Sequence, residues 1–82
     1  MFLVIEFMNR LKDLREDRDL RQKDIANIFH LTQTNYSKYE LEKINIPIEL
    51  LKKFALFYNT STDYILGLTN ETKPYKKSKV TL

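Results

Sequence analysis

Between Thr32 and Tyr39 the chain has no Asp or Glu, while Gln33, Thr34, Asn35, Ser37 and Lys38 can all donate or accept hydrogen bonds. Those residue types match the edges of nucleic-acid bases. A Gln amide pairs with adenine N6 and N7, a Thr methyl meets the thymine methyl, and a Lys ammonium reaches guanine O6 and N7 or a phosphate. The missing carboxylates matter as much, because phosphate would repel an acidic side chain on such a face. Upstream, Gln22 falls at the amino end of a short helical segment, where side-chain and backbone amides together can point at a phosphate. Other chemistries have little to work with. There is no Cys, one His (His30) and one Gly (Gly67). That excludes a disulfide scaffold, a thiolate or histidine-built metal site and a Gly-rich phosphate loop. No nucleophile–base pair can be written, so no catalytic residue, metal or cofactor is expected and the chain is not an enzyme on this reading.

The elements that must hold these side chains follow from helical periodicity. Phe7, Leu11 and Leu14 recur at i, i+4 and i+7 and predict a first helix ending near Asp17–Asp19. Its other face, with Arg10, Lys12, Asp13, Arg15 and Glu16, is expected to be solvated. A second helix begins around Arg21–Gln22 and buries Ile25, Ala26 and either Ile28 or Phe29, until His30-Leu31 interrupt it. Thr32 is a good N-cap for a third helix, with Tyr36 and Tyr39 inward and the polar set outward. Pro47 suits the first turn of a fourth, which carries Ile48, Leu51, Phe54, Ala55 and Tyr58 at helical spacing and stops at Asn59-Thr60. Ser61 or Thr62 caps a fifth, terminated by Gly67. No run alternates like a strand, Phe2–Ile5 being the one candidate. The expected class is all-α with five short helices.

Eighty-two residues make one domain, and 43% apolar with 30% charged is a globular balance. The net charge of +3 is unevenly placed: residues 1–69 carry ten Lys/Arg against ten Asp/Glu, and residues 70–82 carry four lysines (Lys73, Lys76, Lys77, Lys79) against Glu71. The division expected is an apolar N-terminal extension over 1–8, a helical domain over 9–68 and a flexible basic tail over 69–82. The opening Phe2-Leu3-Val4-Ile5 is interrupted by Glu6 and lacks the basic start of a signal peptide. No stretch approaches a membrane span. A cytoplasmic protein without membrane contact is therefore expected.

Two short helices joined by a tight turn over Arg21–Glu40 describe a helix-turn-helix, whose second helix enters the DNA major groove. At these residues the chain resembles the Xre family of Cro/repressor-type helix-turn-helix proteins. The likeness runs from Arg10 to Gly67. It rests on Arg10–Leu20 as first helix, Gln22-Lys-Asp-Ile-Ala26 as second, and Thr32-Gln33 with Tyr36-Ser-Lys-Tyr-Glu40 as recognition helix. Pro47 opens helix four, and Ser61-Thr-Asp-Tyr-Ile-Leu-Gly67 closes the domain. The resemblance implies a five-helix, lambda-repressor-like domain. By the same resemblance Gln33, Thr34, Ser37 and Lys38 would contact bases, with Ser37 at the margin. Gln22, Thr32, Asn35, Lys43 and Asn45 would contact the DNA backbone.

The chain departs from the family pattern at three positions. Arg21 stands where a capping Ser or Thr is usual, His30 where a turn glycine with positive φ is usual, and Glu42 replaces another common glycine. The function implied is a sequence-specific, DNA-binding transcriptional regulator, a repressor of the phage or mobile-element kind, acting as a homodimer on an inverted repeat. Two alternatives stand beside it: an antitoxin that also binds a toxin, and a protein-interaction module that has lost DNA. Met1–Phe7 is expected to dock on helix five or to pair with its twin in a dimer.

Overall fold

The starts of the helices are written in local side chains. In the computed structural model, which describes residues 8–76, the chain forms α1 (Leu11–Asp17), α2 (Gln22–Ile28), α3 (Gln33–Glu40), α4 (Ile48–Tyr58) and α5 (Thr62–Leu66). There is no strand among the described residues. Thr32 Oγ1 accepts the Asn35 N–H (3.1 Å) and Ser61 Oγ accepts the Tyr64 N–H (3.0 Å), each satisfying an amide that the helix itself leaves free. Pro47 precedes α4 and accepts the Leu51 N–H on its carbonyl at 2.9 Å. Arg21 has no side-chain acceptor, so α2 opens with half of the reciprocal cap: the Asp24 carboxylate reaches back to the Arg21 N–H at 2.8 Å. That bond and the neighbouring guanidinium hold Asp24 below the usual carboxylate range.

All five helices stop in the same way. A residue with positive φ reverses the chain: Asp19 (57°), His30 (57°), Glu42 (59°), Asn59 (53°) and Gly67 (83°). The next N–H then folds back five residues, from Leu20 to Arg15, Leu31 to Ala26, Lys43 to Lys38, Thr60 to Ala55 and Leu68 to Asp63, at 2.8–3.1 Å. His30 and Glu42, where glycine was expected, do adopt the left-handed conformation that glycine takes freely. Each L-residue there costs about 1–2 kcal/mol, less for Asn and Asp.

Leu11, Ile25, Ala26, Tyr36, Tyr39, Phe54, Ala55, Tyr58 and Ile65 form one buried cluster. α2 packs on α3, α1 on α3 and α4 on α5. The choice left open at the end of α2 falls to Phe29, whose ring meets Phe54 edge-on at 4.8 Å while Ile28 is exposed. Ile48, expected inward, is 70% exposed. It sits in the first turn of α4, beyond the reach of the core that the later turns cover.

The solvated face expected for α1 is corrected at two positions. Arg15 is buried, and Arg10 is half-buried with its guanidinium on the carbonyls of Tyr64 and Thr69 (both 2.6 Å) and on Asn70 Oδ1 (2.8 Å). Arg18, just past α1, donates to the Phe57 carbonyl at 3.0 Å and lies over the Phe57 and Tyr58 rings. Arg10 and Arg18 thus reach carbonyls at the C-terminal ends of α5 and α4, and Arg15 reaches the Glu40 carboxylate at the C-terminal end of α3, each at the negative end of a helix dipole. The segment after α5 is attached as far as Tyr75, through Thr60 Oγ1 donating to the Thr72 carbonyl (2.7 Å) and the Tyr75 hydroxyl donating to Asp63. The docking expected of Met1–Phe7 and the lysines at 77 and 79 lie outside the described residues.

His30 is exposed and its left-handed backbone is its one strained feature. His30→Gly should raise stability by about 0.5–1 kcal/mol after glycine's entropic cost, or roughly 3–6 °C in a domain of this size. Thermal unfolding followed by circular dichroism measures it, and an unchanged or lower Tm would contradict the strain.

Candidate nucleic-acid interface

The site is built around the last residue of α3. Glu40 is an acid whose side chain is only 4% exposed, and Arg15 of α1 meets it with two bonds, Nε to Oε2 at 2.7 Å and Nη2 to Oε1 at 3.1 Å. The third guanidinium nitrogen, Nη1, donates to the Leu20 carbonyl (2.9 Å), and the Gln22 amide Nε2 donates to Glu40 Oε1 (3.2 Å). One carboxylate therefore ties the start of α2 to the end of α3 and both to α1. Burial works to raise the Glu40 pKa, but the Arg15 bonds, the Tyr36 hydroxyl nearby and the Gln22 amide outweigh it and hold it below the usual range. Burial, then the Glu40 charge, pushes the Tyr36 hydroxyl far up, and burial pushes Tyr58 to about 12. Neither hydroxyl reaches a partner in hydrogen-bond geometry, so both stay as neutral phenols beside the ion pair.

Above this network lies a shallow concavity. Gln22 enters it from α2; Gln33, Thr34, Ser37 and Lys38 from α3; Leu41 and Lys43 from beyond the helix. Its lining has two cations and no carboxylate. The structure thus brings together six of the nine residues singled out from the sequence. Thr32 and Asn35 are exposed on the first turn of α3, with the Thr32 hydroxyl spent on its cap. Asn45 lines a different hollow, with Asn9, Ile44, Ile46 and Leu66. Glu42, which stood close to the expected backbone contacts in the sequence, turns its carboxylate to that second side and accepts the Asn9 N–H at 3.3 Å. Gln22 has one amide hydrogen on Glu40 and a second free for an anion. Sequence reading missed Arg15 and Glu40 as its supports, because an Arg among charged neighbours on an amphipathic helix reads as solvated. Glu40 at the end of a run without acids was the available signal.

Among the described residues no three His, Cys, Asp or Glu side chains gather as a metal site, and no helix is long and apolar enough to cross a membrane.

Two helices packed across a tight turn, the second presenting an acid-free polar face, define a helix-turn-helix. Residues 8–71 match the family described as Helix-turn-helix domain, and the chain belongs to it, in its Xre type. It is 33% identical over 73 residues to the "Uncharacterized HTH-type transcriptional regulator YobD" of Bacillus subtilis (strain 168), covering 89% of this chain and 65% of that protein. Against the "HTH-type transcriptional regulator ImmR" of the same organism it is 34% identical over 64 residues, 78% of this chain and 50% of the relative. Against the "Cryptic phage CTXphi transcriptional repressor RstR" of Vibrio cholerae it is 35% identical over 52 residues, 63% and 47% of the two chains. The chain spans about half to two thirds of the length of these relatives. No solved structure matches it closely enough to be significant.

The Glu40 ion pair carries a pH dependence of definite sign. A carboxylate whose pKa is lowered in the folded chain stabilises it fully above the unfolded value, near 4.5, and less and less as pH falls through the folded value. Tm should therefore drop steeply below about pH 4.5, and Glu40→Gln should lower Tm at pH 7 while flattening that acid limb. Removing the acid altogether in Glu40→Ala leaves Arg15 buried and unpaired, at about 3–5 kcal/mol. An acid limb of equal depth in Glu40→Gln would assign it to other carboxylates.

Proposed function

We propose that this chain is a sequence-specific DNA-binding transcriptional regulator, a repressor that acts as a homodimer on an inverted-repeat operator. One observation carries the reading: the acid-free concavity that joins the outer face of α3 to Gln22 and Lys43. α3 lies in the major groove on this reading. Gln33, Thr34, Ser37 and Lys38 meet base edges there, while Gln22, Thr32, Asn35, Lys43 and Asn45 serve the phosphates. The relatives named as transcriptional regulators, one of them a phage repressor, support the regulatory role. Four base-reading side chains on one short helix give little affinity alone. A two-fold dimer doubles them and sets half-sites about 34–36 Å apart. Repression then follows from occupying a promoter, inside the cytoplasm where the DNA is.

Selection from a pool of random duplexes at about 150 mM salt tests this, since salt of that order suppresses the sequence-independent phosphate contribution. An enriched palindrome is expected. Gln33→Ala should then cost about 1–3 kcal/mol on the best duplex and relax one base position, with little change on random DNA. A pool that stays random would mean that the face serves a protein partner instead, and the interaction-module reading would replace this one.

A further inference from the structure

Leu41 is an apolar side chain in a polar place. It is 60% exposed, caps the C-terminal end of α3 and makes no contribution to the buried cluster. It is also the one apolar residue lining the concavity otherwise built from Gln, Thr, Ser and Lys. Its position is set on both sides. Glu40, immediately before it, is bonded to the Gln22 amide; Lys43, two residues after it, is folded back onto the Lys38 carbonyl at 2.9 Å. The Leu41 N–H itself is held by Ser37 at 3.0 Å. The chain thus brings an amide from α2, and an exposed isobutyl group and an ammonium from the turn after α3, to one concavity.

We propose that Leu41 is a DNA-backbone contact, packing on the deoxyribose between the phosphates met by Gln22 and Lys43. The proposal rests on the DNA-binding reading above and adds a residue to it. A DNA strand alternates charged phosphates with sugars whose C–H surface is apolar, and the concavity offers both kinds of group, with Leu41 as its apolar member beside Gln22 and Lys43. The acid-free surroundings are what a phosphodiester track requires. Leucine also carries no charge or hydrogen-bonding group, so its contact with sugar has neither base preference nor counterion release.

Those properties give the contact a signature. The full-length chain, Leu41→Ala, Leu41→Met and Lys43→Ala are titrated by fluorescence anisotropy. Three duplexes serve: the selected one, the same duplex with deoxyuridine replacing thymine, and a scrambled one. Each titration is run at several salt concentrations. Leu41→Ala should weaken binding on the order of three- to tenfold on all three duplexes, with the salt slope unchanged. Leu41→Met, which restores the apolar surface, should bind as the parent does. Lys43→Ala should lower the slope by about one. A loss confined to thymine-containing duplexes overturns the proposal and assigns Leu41 to a thymine methyl. Unchanged affinity in Leu41→Ala overturns it too, as does a loss that tracks a fall in Tm. If the parent chain binds no duplex, the DNA-binding reading itself fails, a result distinct from all of these.

Discussion

A buried arginine–glutamate pair locks α1 onto the end of α3, and the Gln22 amide ties the start of α2 to the same carboxylate. Arg15 and Glu40 lie 2.7 Å apart at their closest atoms, with side chains 10% and 4% exposed, and the remaining polar atoms of the pair are engaged by Leu20 and Gln22. Burying two charges is expensive, and an apolar pair of equal volume would often serve stability as well or better. What an apolar pair cannot do is demand one geometry. The planar guanidinium fits the carboxylate in a single orientation, and every helix that supplies an atom is set by it. Here those are α1, α3 and the first residue of α2. A shift of α1 on α3 would strand a charge in the core, whereas a shift of α2 on α3 would break the Gln22 bond to Glu40 and disturb the buried cluster that holds Ile25, Ala26, Tyr36 and Tyr39.

The same economy recurs at the other helix ends. α1 and the residues flanking it send Arg10, Arg15 and Arg18 to the C-terminal ends of three other helices, so this element staples the rest of the domain. Five left-handed reversals with a single glycine between them leave four L-residues in a conformation they disfavour. A small domain is marginal in any case, since it buries a modest share of its surface. The reversals persist because each one satisfies a free carbonyl at a helix end, from Arg15, Ala26, Lys38, Ala55 and Asp63.

Much of this was legible in the sequence wherever a residue type has one local use. Thr32 as a cap, Asn59 and Gly67 as stops, and Tyr36 with Tyr39 inward follow from single-helix rules and stand in the structure; the choice between Ser61 and Thr62 falls to Ser61, and Pro47 sits at the N-cap of α4, one residue ahead of its first turn. The unusual residues at glycine positions, His30 and Glu42, were visible only through the resemblance to the family, whose pattern carries glycine there. What was not legible depends on a second element. Arg15 looks solvated until α3 supplies Glu40, and Arg10 looks solvated until the end of α5 supplies carbonyls. Ile48 looks buried until the length of the core beneath α4 is known. For the candidate site, the outward set on α3 was visible from its composition. The concavity was not, because it depends on the path after Leu41, which brings Lys43 back toward Lys38 and turns Glu42 and Asn45 the other way.

That path bears on how a chain with a neutral folded part can attract an anion. Residues 1–69 have equal numbers of acids and bases, so no net field draws DNA to the helices. Long-range attraction is weak at physiological salt in any case, where the Debye length is about 8 Å. The relevant quantity is the charge within that distance of the α3 face, and the structure lowers acidity there instead of adding cations. Glu40 is neutralised by Arg15 and withdrawn from solvent; Asp24 is held on the Arg21 amide; Glu42 is aimed at Asn9 on the far side of the turn. Lys38 and Lys43 are then left without a local acid to cancel them. On the proposed reading, two lysines beside hydrogen-bonding side chains would give weak general attraction and leave discrimination to the base edges, the balance that a sequence-specific regulator needs to find one site among many similar ones.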